Sequence, residues 1–165
     1  MSRDTALVQR AVRGEREAFG ELYEIYSADM YHFALSICKN PWDAQDAVQE
    51  TAISVYRSIG SLKNPEKFKA YLFSALSNTC KKRLSDKPRE TEYENSGQAD
   101  SRLEFDLPVR EALEMLDGVS REIVMLSLVA GFKSKEIGKM LNLPSATVRT
   151  KQKRALERLR KELAE

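Results

Sequence analysis

The stretch SKEIGKMLNLPSATVRTKQKRALERLRK, residues 134–161, predicts two helices separated by a short turn. In the first helix, Ile137, Met140 and Leu141 follow the i, i+3, i+4 spacing of one helix face. The apolar residues of the second helix keep the same register: Val148, Ala155, Leu156, Leu159 and Leu163. Two helices joined in this way form a helix-turn-helix, whose second helix enters the major groove of DNA.

The turn itself, Asn142-Leu143-Pro144, has the chemistry of a helix break. Asparagine tolerates the left-handed conformation, and Pro144 cannot continue a helical hydrogen-bond ladder. Ser145 can cap the helix that follows. Gly138 stands where two helices that cross at a tight turn need a residue without a side chain.

The second helix of the motif is strongly basic, with seven Lys or Arg and one Glu in residues 145–161. The candidate DNA-contacting residues lie off the apolar stripe near its start: Thr147, Arg149, Thr150, Lys151, Lys153 and Arg154. Arginine suits guanine edges and phosphates, threonine suits phosphates or thymine methyl groups, and lysine suits phosphates. A solvated basic face is the alternative, but the turn, the glycine and the charge together favour a DNA-reading helix.

Composition limits the class of protein. The 165 residues have room for one ordinary domain or two small ones, and 42% hydrophobic with 32% charged residues is typical of a soluble, helix-rich chain. Cys38 and Cys80 form no C-x-x-C motif and His32 is the single histidine, so we expect buried free thiols and no metal site. No apolar run is long enough for a membrane span and the N-terminus is too charged for a signal peptide, so a cytoplasmic protein is expected.

Apolar residues at helical spacing predict four helices in the first half, over residues 5–12, 17–38, 42–59 and 66–84. Asn40-Pro41 supplies a cap and a first-turn proline for the third. Ala6 and Tyr56 are expected to face inward, whereas Phe73 lies off the stripe of the fourth helix, which leaves it free to be exposed. Four helices with short connections predict an α-helical bundle.

The second half begins after a polar, acidic segment, residues 85–106, which is predicted to be a flexible linker. One helix then passes through Leu113 and Leu116, and another runs from Ile123 to Leu128 before the helix-turn-helix. The predicted fold class is therefore all-α. It comprises an N-terminal bundle over 1–84, the linker, and a helix-turn-helix domain over 107–165.

Acidic and basic residues are segregated in the first half. Residues 15–50 carry eight acids and two bases, and residues 57–83 carry seven bases and one acid. Asp43, Asp46 and Glu50 stand at i, i+3, i+7 and share one helix face. These carboxylates are not expected to form a di-metal site, because such a site in a helical bundle also needs Glu-x-x-His pairs and the only histidine, His32, lies elsewhere. A docking face for a basic partner is favoured over a merely solvated face.

The basic segment, residues 57–83, interleaves its lysines and arginines with aromatic residues. Such a surface suits single-stranded DNA, because bases stack on aromatic rings while phosphates contact cations. Phe68 and Tyr71 also fall on the apolar stripe of their helix, so packing in the core is the alternative for these two residues.

Three motifs occur in order along the chain: DAQDAVQE at 43–50, PEKFKAYLFSALSN at 65–78 and EIGKMLNLPSATVRTKQKRALERLR at 136–160. In this order, and with the acidic segment before the last, they resemble a bacterial RNA polymerase sigma factor of the sigma-70 family, in the extracytoplasmic-function (ECF) group. The resemblance covers nearly the whole chain. It implies a protein that is not an enzyme, needs no cofactor or small-molecule substrate, and directs core RNA polymerase to promoters.

The resemblance also implies roles for particular residues. Docking on the clamp helices of the largest polymerase subunit would use Asp43, Asp46, Gln49 and Glu50. Capture of the non-template strand of the minus-10 element would use Lys63, Lys67, Phe68, Tyr71, Asn78, Lys81, Lys82 and Arg83. The basic helix, Thr147 to Arg154, would read the minus-35 element. An anti-sigma factor is implied as a further partner.

The chain departs from the usual family pattern in three places. Tyr71 stands where tryptophan is common, and Ser77 stands where arginine is frequent, so a neighbouring basic residue is expected to supply that phosphate contact. Gln152 and Lys153 replace leucine and histidine, which changes the expected minus-35 preference. The alternative function is a stand-alone helix-turn-helix regulator, against which the N-terminal bundle and the acidic helix argue.

Overall fold

The computed structural model describes residues 3–86 and 106–164, and these residues are helical with short connections. The α-helices are α1 Arg3–Val12, α2 Arg16–Cys38, α3 Pro41–Ser58, α4 Phe68–Asp86, α5 Leu107–Glu114, α6 Gly118–Leu128, α7 Ser134–Leu141 and α8 Ser145–Ala164. The 3-10 turns Ile59–Ser61 and Pro65–Lys67 connect α3 to α4. The all-α prediction is confirmed. Most of the predicted linker lies outside the described residues, although α4 runs two residues past 84.

Local backbone chemistry sets the junction between α2 and α3. Lys39 adopts the left-handed conformation with φ 61°, and its N–H donates to the carbonyl of Leu35 at 2.8 Å, which ends α2. Asn40 then caps α3 as predicted, because its Oδ1 accepts from the N–H groups of Trp42 at 2.8 Å and Asp43 at 3.1 Å. The cap places a carboxylate in the first turn of α3, where the helix dipole favours negative charge.

Helix α2 is the centre of the N-terminal bundle and packs against α1, α3 and α4. Its Leu22, Met30 and Phe33 are at most 1% exposed, as their spacing predicts. Two inward predictions were wrong. Ala6 is exposed because α1 buries Leu7, Val8 and Ala11 instead, and Tyr56 is 38% exposed because it lies at the edge of the buried stripe of α3.

Helix α6 is the centre of the C-terminal group and is buried on most of its circumference, because the N-terminal bundle lies on one side and α8 on the other. Even Arg121 is only 9% exposed. Its guanidinium donates to the carbonyls of Leu113 at 2.9 Å and Leu116 at 2.7 Å, which satisfies backbone groups at the end of α5. At the end of α6, Leu128 is 61% exposed, contrary to its apolar spacing.

The turn between α7 and α8 has the predicted chemistry. Asn142 is left-handed with φ 58°, and the N–H of Leu143 donates to the carbonyl of Gly138 at 2.8 Å. A Cβ on Gly138 would lie 2.6 Å from the carbonyl oxygen of Leu143, so only glycine fits this crossing. Ser145 is the first residue of α8, and its hydroxyl accepts a hydrogen bond from Arg149 at 3.3 Å.

The two groups of helices pack against each other, with α2 on α5 and α6 and with α4 on α7. Phe73 of α4 is fully buried in this contact, and the rings of Phe33 and Phe132 each lie 5.9 Å from its ring. The suggestion that Phe73 is exposed was therefore wrong, because Phe33 of α2 and Phe132 of the C-terminal group both pack against it.

Cys38 and Cys80 are buried thiols, as predicted. A hydrogen bond with the Cys38 side chain and then burial raise the pKa of the Cys80 thiol well above its ordinary value. A protonated, buried thiol such as that of Cys80 is a poor nucleophile. Both cysteines belong to the hydrophobic core. Within the described part of the chain, no helix has the length and apolar character that a membrane crossing requires.

Asp117 caps α6 and gives a first testable prediction. Its carboxylate accepts from the N–H of Ser120 at 2.8 Å and from the hydroxyl of Ser120 at 3.1 Å. We expect Asp117→Ala to lower the free energy of unfolding by about 1 kcal/mol, the usual cost of a lost cap. Urea denaturation measures the change. Asp117→Asn keeps an acceptor and is the control; a loss as large as that of the alanine variant would contradict the capping role.

The same cap has a pH dependence. The hydrogen bond from the backbone N–H of Ser120 is the largest of the causes that hold the pKa of Asp117 below its ordinary value. A group whose pKa is lowered by folding stabilises the folded state above its unfolded pKa, and this contribution is lost as the pH falls through the folded pKa. The difference between wild type and Asp117→Ala should therefore shrink below about pH 4.

Candidate nucleic-acid interface and docking face

Three carboxylates of α3, Asp43, Asp46 and Glu50, lie side by side and form what we call the acidic face. The side chains of Asp46 and Glu50 are 60% and 55% exposed, whereas that of Asp43 is only 9% exposed. Gln49 is exposed on the same helix. Three of the four predicted docking residues are therefore accessible to a partner: Asp46, Gln49 and Glu50. The fourth, Asp43, is buried.

Arg83 of α4 faces all three carboxylates. Its Nη1 lies 3.8 Å from Oδ1 of Asp43, its Nη2 3.6 Å from Oδ2 of Asp46, and its Nε 3.6 Å from Oε2 of Glu50. These separations are those of ion pairs rather than of hydrogen bonds. The resemblance implied a DNA contact for Arg83, but the structure places its guanidinium at the acidic face, because α3 and α4 pack side by side.

Most of the other residues expected at the minus-10 element are accessible on α4 and the turn before it. Lys63, Lys67, Asn78, Lys81 and Lys82 are exposed. Side chains of these types contact phosphates and base edges in protein–DNA complexes.

The two aromatic residues of this segment have different positions. Tyr71 is 37% exposed and its hydroxyl bonds to that of Ser58. Phe68 is 2% exposed and lies 6.1 Å from the ring of Tyr26. Phe68 therefore cannot present a ring face to a base. The DNA contact expected for Phe68 is wrong, because its side chain packs in the core on the apolar stripe of α4. Tyr71 keeps an accessible edge.

Lysines from both halves of the chain line a groove of about 830 Å³ between α4 and α7. Lys67 and Lys69 come from the N-terminal part, and Lys135 and Lys139 come from α7. The sequence did not predict this combination, because residues far apart along the chain meet only when the two groups of helices pack together.

The basic face of α8 lies opposite its buried stripe. Val148 is 0% exposed and Ala155 3% exposed, and these residues fix the helix on its domain. The predicted minus-35 residues that are exposed are Arg149, Thr150, Lys153 and Arg154, while Thr147 and Lys151 are half-buried. Several cations are therefore free to approach a DNA backbone.

Gln152, one of the departures from the usual pattern, has a structural role. Its side-chain amide donates to the hydroxyl of Ser127 at 2.8 Å, so it ties α8 to α6. It is half-buried and faces the domain rather than the exposed basic surface.

Comparison with known proteins identifies both halves of the chain. Residues 22–90 match the family model "Sigma-70 region 2", and residues 106–159 match "Sigma-70, region 4". RNA polymerase sigma factor SigV of Bacillus subtilis (strain 168) is 30% identical over 145 residues, which cover 84% of this chain and 86% of SigV. The chain belongs to the sigma-70 family of RNA polymerase sigma factors, in the ECF group.

Other relatives have similar extents. ECF RNA polymerase sigma factor SigW of Bacillus subtilis (strain 168) is 25% identical, over 94% of each chain. A structure of CnrH in complex with the cytosolic domain of CnrY has a TM-score of 0.76 at 23% identity and covers 99% of this chain and 98% of CnrH. The sigma factor RpoE in complex with the anti-sigma factor NepR from Bartonella quintana has a TM-score of 0.73 at 22% identity, covering 88% of this chain and 96% of RpoE. Both structures share the fold.

Family membership fixes the general function. The sigma factor directs promoter-specific initiation of transcription by RNA polymerase and is not an enzyme. The match of the N-terminal half to region 2 decides against a stand-alone helix-turn-helix regulator.

Proposed function

We propose that the sigma factor binds core RNA polymerase through the acidic face, captures the non-template strand of the minus-10 element along α4, and reads the minus-35 element with α8. Residues 1–84 then form the polymerase and minus-10 domain, residues 85–106 the linker, and residues 107–165 the minus-35 domain. The observation that carries the proposal is the separation of exposed charge, with carboxylates on α3 and cations on α4 and α8. One molecule can thus contact polymerase and DNA at once.

The acidic face suits a basic surface of the polymerase. Asp46 and Glu50 are held beside the guanidinium of Arg83, so less side-chain freedom is lost when a partner arrives. Charge complementarity of this kind raises the rate of encounter and fixes the register of docking. Gln49 adds an exposed amide that can donate and accept at the same site.

The surface around α4 suits an unpaired DNA strand. Lys63, Lys67 and Lys82 can contact phosphates, Asn78 can bond to a base edge, and Tyr71 offers a ring edge beside them. Extruding a base costs a few kcal/mol of unstacking, which a pocket in the connection between α3 and α4 can offset. This binding of an open strand is how the sigma factor helps to melt the promoter.

Two DNA-binding domains on one chain make promoter spacing part of recognition. Each domain alone binds DNA weakly, but once one element is bound the tether holds the other domain at a high effective concentration. The gain is lost when the two elements lie too far apart for the tether.

We further infer that an anti-sigma protein restrains this sigma factor, and that it acts in the bacterial cytoplasm, where its polymerase lies. Support comes from the similar fold of RpoE, whose solved structure contains the anti-sigma factor NepR.

Transcription in vitro tests the proposed function. Purified core polymerase is incubated with the sigma factor and a random promoter library, and the transcripts are sequenced. Starts that depend on the chain and share two spaced elements are expected. DNA binding without dependent starts would overturn the assignment of the acidic face.

The basic face of α8 gives a prediction about salt. Neutralising Arg154 with Arg154→Gln should weaken the binding of a promoter duplex and lower the slope of log K against log salt by about one, because one phosphate contact is lost. Lys161→Gln, on the same helix about 10 Å further along, is the control and should leave the slope unchanged. Fluorescence anisotropy across a salt series measures both, and equal slopes for the two variants would contradict the assignment.

A further inference from the structure

Glu122 of α6 joins the two groups of helices. It is 4% exposed, its Oε2 lies 3.0 Å from Nζ of Lys81 on α4, and its Oε1 accepts a hydrogen bond from the hydroxyl of Ser77. We propose that Glu122 competes with DNA for α4. Its carboxylate binds the ammonium group of Lys81 and the hydroxyl of Ser77, which a phosphate of the DNA strand would otherwise contact. The closed arrangement of the two domains therefore inhibits strand binding. This inference rests on the proposed role of α4 at the minus-10 element.

The chemistry of the contact is that of a phosphate site. A hydroxyl donor and an ammonium group converge on two anionic oxygens, and these are donors that proteins use for DNA phosphates. Lys81 is 53% exposed in its side chain, so it can exchange the carboxylate for a phosphate without leaving its helix. Ser77 is 5% exposed and becomes accessible only when α6 moves away.

A second contact holds the same closed arrangement. Phe132, between α6 and α7, is 7% exposed and packs edge-to-face on Phe73 at 5.9 Å. The Nζ of Lys69 lies 5.2 Å from the centre of the Phe132 ring, a cation–π distance. The closed arrangement is therefore held by an apolar contact, between Phe73 and Phe132, and by the polar contacts of Glu122 with Ser77 and Lys81.

The C-terminal helices also restrict access to α4 by their position. Asn78 and Lys81 line a cavity of about 260 Å³ whose other walls include Val119 of α6 and Met140 of α7. A DNA strand along this face of α4 would have to pass through space that these helices occupy. Strand binding and domain closure are therefore alternatives, and the closed fraction lowers the apparent affinity for the strand.

Two substitutions of Glu122 distinguish competition by its carboxylate from the effect of a change in net charge. Glu122→Gln removes the charge with little change of shape, and Glu122→Lys places a like charge beside Lys81. Glu111, exposed on α5, offers the matched controls Glu111→Gln and Glu111→Lys. Circular dichroism of each full-length variant establishes that the helices remain folded.

The first measurement is the affinity for a fluorescent single-stranded DNA of 15 nucleotides and mixed sequence, followed by anisotropy without polymerase. Glu122→Gln should bind about tenfold more tightly than wild type, as expected when closure leaves about a tenth of the molecules competent. Glu111→Gln should bind nearly as wild type does. An equal gain for both variants would show a net-charge effect and overturn the proposal.

The second measurement is the radius of gyration from small-angle X-ray scattering of the chain alone. Glu122→Lys should increase it, and so should Lys81→Met, which leaves a buried carboxylate without its cation. Lys81→Met should not gain strand affinity, because it also loses the phosphate contact. An unchanged radius for Glu122→Lys would overturn the proposal. Failure of the proposed function would appear separately, as an absence of transcription starts with the wild-type chain.

Discussion

Replacing Glu50 with lysine is expected to weaken the binding of core RNA polymerase about 100-fold. Glu50 is 55% exposed on the acidic face, so a lysine there turns attraction for a basic partner into repulsion. The new ammonium would also face Arg83, whose guanidinium now lies 3.6 Å from the carboxylate. Repulsion between the two cations would displace Arg83 and disturb its pairing with Asp46. The loss corresponds to about 2.7 kcal/mol of binding free energy.

A titration of labelled sigma factor with core polymerase measures this effect, and run-off transcription follows its consequence. Glu21→Lys is the matched control, since Glu21 is exposed on α2 and the change in net charge is the same. The control should bind polymerase about as tightly as wild type. If both variants lose affinity equally, the long-range field of the protein is responsible and the acidic face is not the docking site.

The helix-turn-helix was predictable because its determinants are local. Left-handed Asn142, the proline after it and the missing side chain of Gly138 act within a few residues of each other, so their spacing carries the geometry. The cap by Asn40 was predictable for the same reason. Backbone preferences and capping hydrogen bonds operate over one helical turn, and a sequence displays that range directly.

The packing between the two groups of helices could not be predicted in this way. Phe73 lies off the apolar stripe of α4, and it is buried between Phe33 of α2 and Phe132 of the C-terminal group. A helix with two buried faces shows no single periodic stripe, so its pattern underestimates its core. The sequence gives no signal of the contact between Ser77 and Glu122, because the two residues lie far apart along the chain and meet only in the fold.

The sequence predicted which residues carry the charge of the acidic face, but not which residue pairs with them. The i, i+3, i+7 spacing placed Asp43, Asp46 and Glu50 on one face, yet it could not show that Asp43 lies beneath the other two or that Arg83 pairs with them. An arginine in a basic segment has the same sequence signature whether it meets a phosphate or a neighbouring carboxylate. The orientation of α4 on α3 decides between these roles for Arg83.

Gly138→Ala is expected to destabilise the helix-turn-helix by about 3 kcal/mol and to abolish specific binding of the minus-35 element. The added Cβ would lie 2.6 Å from the carbonyl oxygen of Leu143, which is backbone and cannot swing away as a flexible side chain would. The turn must shift to relieve this contact. Because α8 follows the turn directly, its basic face would be displaced relative to the rest of the domain.

The direction of the effect distinguishes this crossing from ordinary helix propensity. Gly138 is helical, and in an open helix position alanine is about 1 kcal/mol more favourable than glycine. Gly20 in α2 is such a position, since a Cβ there meets nothing within 4 Å, so Gly20→Ala should stabilise its helix. Hydrogen exchange of the amides in α2, α7 and α8 measures both local stabilities. A gain for Gly138→Ala like that of Gly20→Ala would mean that α7 and α8 cross less closely, with α8 held by its packing on α6 instead.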